Sequence, residues 1–582
     1  MSKVDKKHHP RPQFIREQWT SLDGEWDFAF DDKRAGEESN WNNGIAKEHK
    51  ILVPFTYETK KSGIHDTTHH EVVWYERKVD INTDKDVLLH FEGVDYHTTL
   101  WVNGSMVGHH EGGYHAFKFN ITPFINQGEN RVVLRVEDSK DSTQPRGKQR
   151  WQDENFGCWY VQTTGIWKTV WMEYVSPVYI DNVKMTPIFD EQKIDIELNL
   201  NQFTLEDIYA ELDIQFDGKC INQGKVKFDA EKAKITLSVL VGGDPWSMRH
   251  WHPENPNLYD IDFKLVKDGE IIDEVQSYFG MRKIHIHGQK ILLNNVELYQ
   301  RLVLDQGYWE DSDLTPPSVE ALERDIDLMM ELGYNGARKH QKIEDNRFLY
   351  LCDKKGFLIW SEFPAAYTFS DKAIERTTKE WMSIVKQHYN HPSIITWTPF
   401  NESWGVSEIS YRREMQMFTE GIYYLTKAFD QMRPVVSNDG WELTKTDIVT
   451  LHDYEELGEV FTPRYEDCDK LMENNYQHNS GRFPLAVGYE YEGQPVIISE
   501  FGGIAFNSEE GWGYGNQVND EEAFMKRFDD IHKAIQDIDY ISGFCYTQIT
   551  DVQQEVNGLL TMDREPKVNV EAIRKINTRR TK

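Results

Sequence analysis

Two short stretches each place a carboxylate where a strand-like apolar run gives way to a loop. In ITWTPFNESWG (residues 395–405) it is Glu402, and in PVIISEFGG (residues 495–503) it is Glu500. A pair of carboxyl groups facing one site suits cleavage of a glycosidic bond: one with a raised pKa gives a proton to the leaving oxygen, and one that stays ionised attacks the anomeric carbon. A single glutamate at a strand end implies much less, since it serves as well to cap a helix or balance a neighbouring charge.

The elements that must bring the two together begin near residue 284, where the chain takes up a strand–helix rhythm. LYQRLVLD is followed by a helical pattern with Val319, Leu322, Ile326, Met329, Met330 and Gly333 on one face, and then by NGARKH, FLIWSEF, IITWTPF, PVVSN, DIVTLHDY, PVIISEF and ISGFCYTQ. Eight apolar strand candidates with helical connections in about 300 residues predict a (β/α)8 TIM barrel, whose chemistry sits at the strand C-termini. Glu402 then ends the fourth strand and Glu500 the seventh, on the same mouth.

Upstream the pattern is all β. Short alternating segments such as WYERKVDI, DVLLHFEGV and NRVVLRVED predict a jelly-roll sandwich, with Asn103-Gly104 as a hairpin turn. KIDIELNLNQ, IYAELDIQFD and LYDIDFKLVKDG predict an immunoglobulin-like sandwich of about 100 residues. The expected organisation is multidomain: a jelly roll over 1–177, an immunoglobulin-like sandwich over 178–283 and a catalytic TIM barrel over 284–582.

Composition narrows the partners. With 97 acidic and 65 basic residues the net charge is -32, which repels phosphate backbones and argues against nucleic acid. There is no apolar run of membrane-spanning length and no signal-type h-region in MSKVDKKHHPRPQF, so no membrane association and a cytoplasmic location are expected. Five scattered cysteines without a CxxC pair predict small buried hydrophobes and no zinc site. Aromatic residues make up 13%, enough to offer flat faces to sugar rings as well as to fill sandwich and barrel cores. His8 and His9, in a charged terminus, are read as solvated, and homo-oligomerisation is left open.

The order of jelly roll, immunoglobulin-like sandwich and barrel, with FNESWG and ISEFGG at the fourth and seventh strands, resembles glycoside hydrolase family 2, the retaining β-galactosidases, β-glucuronidases and β-mannosidases. VWYERKV, LWVNGSMVGHHEGGYHAFKFNIT, FGMRKI and DREPK add to the likeness, which covers nearly the whole chain. It implies that Glu402 is the acid/base, that Asn401 bonds the sugar 2-hydroxyl and that Glu500 is the nucleophile. It also implies that Tyr454 bonds that nucleophile and that Arg338 lies beneath it. Each of the last two has a plainer reading, Tyr454 as a core tyrosine with a satisfied hydroxyl and Arg338 as a charge-balancing partner. Trp404 joins the substrate-binding candidates.

Several positions depart from the family pattern. An RHE-like stretch is replaced by Leu304, Asp305 and Gln306, and an SHYP-like stretch by His340, Gln341, Lys342 and Ile343. Thr547 and Gln548 stand where Trp is often found. The Asn-x-Lys motif that pairs with a uronate in the glucuronidases is reduced to Asn557 and Leu559, near acidic Asp551 and Glu555. A neutral sugar is therefore expected, a β-galactoside first, with Asp305 accepting from its hydroxyls and His340, Gln341 and Thr547 lining the pocket. Lys339, Lys342 and His340 supply positive charge that keeps a uronate open. A mannosidase, arabinopyranosidase or galactofuranosidase activity is compatible with the same residues, as is a carbohydrate-binding protein without catalysis. Glu362 lines the pocket or meets a cation; no dense His/Asp cluster surrounds it in sequence, so no metal or other cofactor is expected.

Overall fold

The computed structural model describes residues 5–475, 481–508 and 511–579. The first sandwich packs a six-stranded antiparallel sheet against a four-stranded one. Between them lie Trp26, Phe28, Tyr75, Leu89, Phe91, Leu100, Val132 and Leu134, all buried. The hairpin joining His97–Val102 to Ser105–Glu111 turns at Asn103 (φ 51°) and Gly104 (φ 80°), the two residues most tolerant of left-handed backbone. In the second sandwich, strand Lys193–Leu200 buries Ile194, Ile196, Leu198 and Leu200 while the residues between stay half exposed, the two-residue period of a strand with one face on a core. Arg16 ties the two sandwiches together, donating to Asp273 at 2.8 and 2.9 Å and to Glu173 at 2.9 Å.

FGMRKI leads into the barrel as expected. Arg282 donates to the carbonyls of Pro392 (3.0 Å) and Ile394 (2.8 Å), anchoring the sandwich at the base of one barrel strand. Seven parallel strands form the barrel sheet: Gln300–Asp305, Gly336–Lys339, Leu358–Glu362, Ile394–Thr398, Val449–His452, Val496–Gly502 and Ile541–Thr547.

The expected fifth strand, PVVSN, forms no ladder. Residues 434–440 instead fill the gap between Ile394–Thr398 and Val449–His452 through isolated bridges, Trp397 to Val435 and Asn401 to Asp439. Pro434 has no N–H to give. The N–H of Val435 goes to the Asp447 carboxylate (2.9 Å) and that of Gly440 to the Thr450 hydroxyl (3.2 Å), so side chains take the donors that a ladder needs.

The helix Val319–Glu331 starts at Ser318, whose hydroxyl accepts the Ala321 N–H, and buries Val319, Leu322, Ile326 and Met329 as the spacing predicts. Met330 is off that face and exposed, with Leu328 buried instead. Cys352 and Cys545 are buried, but Cys220 is exposed and Cys158 and Cys468 are half-buried; all five are free thiols. His9 is fully buried rather than solvated, wedged edge-on between the Trp19 and Trp171 rings. Among the described residues no helix is long and apolar enough to cross a membrane.

Candidate active site

Glu402 lies four residues past its strand, on backbone twisted to φ 51° and followed by Ser403 at φ 59°. Left-handed backbone is uncommon away from glycine and persists where surrounding contacts fix it. Here the 434–440 segment does so: the Glu402 N–H donates to the Asp439 carbonyl (2.8 Å) and the Ser403 N–H to Asn438 Oδ1 (2.9 Å). The turn presents the Glu402 carboxylate to His452 Nδ1, 2.9 Å from Oε1, and to Trp404 Nε1, 3.3 Å from Oε2.

Glu500 projects from strand Val496–Gly502 between two donors. Arg338 Nη1 approaches Oε1 at 3.2 Å and the Tyr454 hydroxyl donates to Oε2 at 2.5 Å. The Tyr454 ring is stacked on Tyr514 at 3.4 Å, and its hydroxyl also lies 3.3 Å from the Thr547 Oγ1. Arg338 is completely buried. Its guanidinium further reaches Glu362 (2.5 Å), Asp439 (2.6 Å), Asn401 Oδ1 (3.1 Å) and the Ser499 carbonyl (2.5 Å). With its oxygen committed to Arg338, Asn401 keeps a buried amide nitrogen that has no partner among the described residues.

His452 carries no signal in the sequence beyond its place, a strand end two residues before Tyr454, where period two puts the pair on one side. It is the hub of the site. Nδ1 lies 2.9 Å from Glu402 and 3.5 Å from Glu500, and Nε2 lies 2.9 Å from Asp439. Burial opposes a charge on the imidazole, but Glu500, Asp439 and Glu402 outweigh it and raise its pKa to about 10. Glu402 moves the other way. Burial pushes its carboxyl up, while the bond and charge of His452, with the Lys148 charge farther off, bring it down to about 2. The Glu402 carboxyl is thus not itself raised; the raised group is His452 beside it. One atom from each of Glu402, His452 and Glu500 falls within 4.8 Å of the others, a spacing a cation could use. Here Glu402 already bonds His452, and Glu500 bonds Arg338 and Tyr454.

The substituted pocket positions are largely engaged with each other. Asp305 and Lys339 sit opposite in the parallel register of their strands and pair at 2.7 Å, and the second Asp305 oxygen accepts the Gly307 N–H at 2.8 Å. One Asp305 oxygen is therefore held in an internal ion pair and the other by the Gly307 backbone, where sugar hydroxyls were expected. Lys339 also reaches Glu344 at 2.8 Å, as does Lys342. Neither lysine is left to meet a substrate charge. His340 bonds Glu362 at 2.8 Å and burial keeps it neutral, its pKa well below the usual range. Gln341 accepts the Ala365 N–H at 3.1 Å, so its oxygen too supports the loop.

Around the eighth-strand exit a closed ring of side chains runs from Glu555 to Asn557 (3.1 Å), Gln548 (2.8 Å), Gln306 (2.7 Å) and Tyr160 (2.8 Å). The Tyr160 hydroxyl closes it by donating back to Glu555. Both ends of the Asn557 amide are thereby engaged, and Leu559 is buried.

The first sandwich contributes to the mouth, which nothing in the sequence pattern signals. A loop of that domain carries Lys148, buried at 7% exposure, whose ammonium bonds the Cys158 thiol at 3.2 Å. Among the described residues no carboxylate reaches ion-pairing distance of it. Burial works against its charge, and Cys158, Tyr367, Glu555 and Glu402 nearby more than restore it, so the proton stays on. The same domain supplies Trp151, Phe156 and Trp159, which pack with Tyr367 and Trp404 into a half-buried aromatic wall beside Glu402.

Comparison with known proteins bears on the whole architecture. Residues 19–172 match the glycosyl hydrolases family 2 sugar binding domain, 178–282 the glycosyl hydrolases family 2 model and 284–580 that family's TIM barrel domain. A β-glucuronidase of Paenibacillus borealis is 22% identical, covering 95% of this chain and 96% of its own length. A β-galactosidase of Thermoanaerobacter pseudethanolicus is 27% identical over 61% of this chain. The chain spans about half the length of some curated relatives, 49% of the Thermoanaerobacter protein among them. A solved structure of Bifidobacterium dentium β-glucuronidase complexed with coumarin-3-O-glucuronide superposes with a TM-score of 0.79 at 19% identity, covering 97% of this chain and 98% of that one. With two sandwiches, a parallel barrel and all three domain models in order, the chain belongs to glycoside hydrolase family 2.

Proposed function

We propose that this glycoside hydrolase is a retaining, exo-acting enzyme that removes a terminal β-linked hexuronate, a β-glucuronide first, by double displacement. The observation that carries the mechanism is the approach of the Glu402 and Glu500 oxygens to within 4.8 Å. Retaining enzymes hold their two carboxyl groups about 5–5.5 Å apart, inverting ones about 6.5–9.5 Å. Glu500 attacks the anomeric carbon while Arg338 and Tyr454 fix its two oxygens. Glu402 delivers the proton to the leaving oxygen, and then takes one from the water that frees the sugar. The Asn401 amide, without a partner among the described residues, is a donor for the sugar 2-hydroxyl, and the aromatic wall on the Glu402 side covers the leaving group.

The uronate reading is supported by Lys148, a buried cation beside the mouth without a carboxylate partner among the described residues, and by the β-glucuronidases among the relatives that match end to end. A second reading, a neutral β-galactoside, is favoured by buried Leu559 in place of a motif lysine and by the acidic Glu555 ring. Nitrophenyl β-glucuronide, β-galacturonide and β-galactoside decide between them, with NMR of the first anomer released. We expect uronide kcat/KM to exceed the galactoside value at least about tenfold, as one charge-assisted bond provides, and the β-anomer to appear first. The opposite preference would select the neutral sugar and leave double displacement standing; an α-anomer first would remove double displacement itself.

A further inference from the structure

We propose that His452 is the proton store of the acid/base pair, a positioning residue that acts through Glu402 and changes charge in step with Glu500. The inference rests on the double-displacement reading above. It starts from three contacts of one buried ring: Nδ1 with Glu402 at 2.9 Å, the same nitrogen with Glu500 at 3.5 Å, and Nε2 with Asp439 at 2.9 Å. Among the described residues, the charged groups recorded against the imidazole are these three carboxylates, with Arg338 behind Asp439 and Glu500; the Trp441 ring lies 5.5 Å from it. The Tyr454 hydroxyl reaches the site through Glu500. Three anions around one ring favour the imidazolium, consistent with its raised pKa.

Asp439 fixes the Nε2–H, so the mobile proton is the one on Nδ1, directed at Glu402. Forming the glycosyl ester removes the negative charge of Glu500. The C1–oxygen bond breaks, its electron pair goes to the leaving oxygen, and that oxygen takes a proton from Glu402 while Glu402 takes the Nδ1 proton. Before this step the site holds imidazolium and two carboxylates; after it, neutral imidazole, one carboxylate and one ester. Net charge is the same on both sides. Hydrolysis of the ester reverses the transfer: water gives its proton to Glu402, which passes it to His452, and Glu500 regains its charge. The loss of Glu500 charge is what weakens the hold on the His452 proton, so acid catalysis is triggered by nucleophilic attack.

The test uses the whole enzyme with 15N-labelled histidine, first free and then trapped as the ester of a 2-deoxy-2-fluoro glycoside of whichever sugar it hydrolyses. We expect His452 to be doubly protonated in the free enzyme at about pH 7.5, between the ordinary histidine value and its raised one, and a neutral single tautomer in the ester. An unchanged protonation state would overturn the proposal. The pH profile gives a second readout, because the alkaline limb of kcat/KM reports the acid of the free enzyme. A group whose folded pKa is raised keeps its proton up to that value, so the wild-type limb should lie well above about pH 7. In His452→Gln the limb should move acidic by about two units or more, with aryl glycosides of poor leaving groups losing about 10²-fold or more and dinitrophenyl glycosides nearly spared. A wild-type limb preserved in His452→Gln would equally refute the store. Failure to hydrolyse any nitrophenyl glycoside would instead defeat the glycosidase mechanism on which it rests.

Discussion

The carboxylate oxygens of Glu402 and Glu500 come within 4.8 Å of each other, with the His452 ring bonded to the first and close to the second. At that spacing water has no room beside the sugar until the leaving group departs. Replacing Glu500 by Gly should lower kcat by more than about 10³-fold. Added azide should restore turnover and yield the α-glycosyl azide, since the small anion takes the space on the nucleophile face. A Glu500→Gly enzyme of near-normal activity would move the nucleophile elsewhere.

Glu402→Gln should act on a different part of the profile. Loss of the proton donor costs about 10²–10⁴-fold where the leaving group needs protonation and much less for nitrophenolate. A leaving-group series measures this directly: the variant should show a steep dependence where the parent is flat. An equal loss for all leaving groups would mean that Glu402 binds the sugar and does not transfer the proton.

Arg338 holds Glu362, Asp439 and Glu500 together from a completely buried position. Arg338→Met leaves three buried carboxylates without their counter-charge and should lower stability by about 3–5 kcal/mol, read from denaturant midpoints. Arg338→Lys should recover part of this at most, because a point charge cannot match the fork of donors that a guanidinium offers.

Asp305 is expected to behave as half of a buried ion pair with Lys339. Asp305→Ala should therefore cost about 3–5 kcal/mol of stability while KM stays within about twofold. A large rise in KM at unchanged stability would return Asp305 to the sugar.

Lys148→Met separates recognition from chemistry. Uronide kcat/KM should fall at least about tenfold and β-galactoside kcat/KM should hold steady or rise. Equal losses on both sugars would mark Lys148 as a counter-charge for Glu402 and Glu555 only.

The two candidate carboxylates are legible in the sequence because a barrel strand announces itself as a short apolar run, and side chains at or just past its C-terminal end sit at the mouth. Arg338 and Glu500 lie within the last residues of their strands, and Tyr454 and Glu402 two and four residues beyond theirs. What the sequence does not show is what the side chains do to one another. Asp305 and Lys339 read as a free acceptor and a free cation, yet strand register sets them side by side, and register is invisible until the barrel closes. His452 escapes notice because a histidine at a strand end has no special spacing; its importance comes from three carboxylates on three other segments. PVVSN reads as a strand on composition alone, and loses its ladder to side chains about ten residues farther along the chain.

The loop of the first sandwich makes the site a shared possession of two modules. Tyr367 bonds the Gly147 carbonyl, the Arg146 N–H donates to the Ala365 carbonyl at 2.9 Å, and Asn155 bonds Gln553 at 2.6 Å, so the loop is fastened to the barrel on both sides of the mouth. A barrel cut away at residue 284 would keep Glu402 and Glu500 but lose Lys148, Tyr160 and the Trp159 face, together with Tyr114, Trp167 and Trp251 from the core it shares with the sandwiches. Recombination between relatives at that boundary would set one parent's Glu402 and Glu500 against the other parent's loop, and the bonds from Tyr367, Ala365 and Gln553 to that loop would have to match across the join.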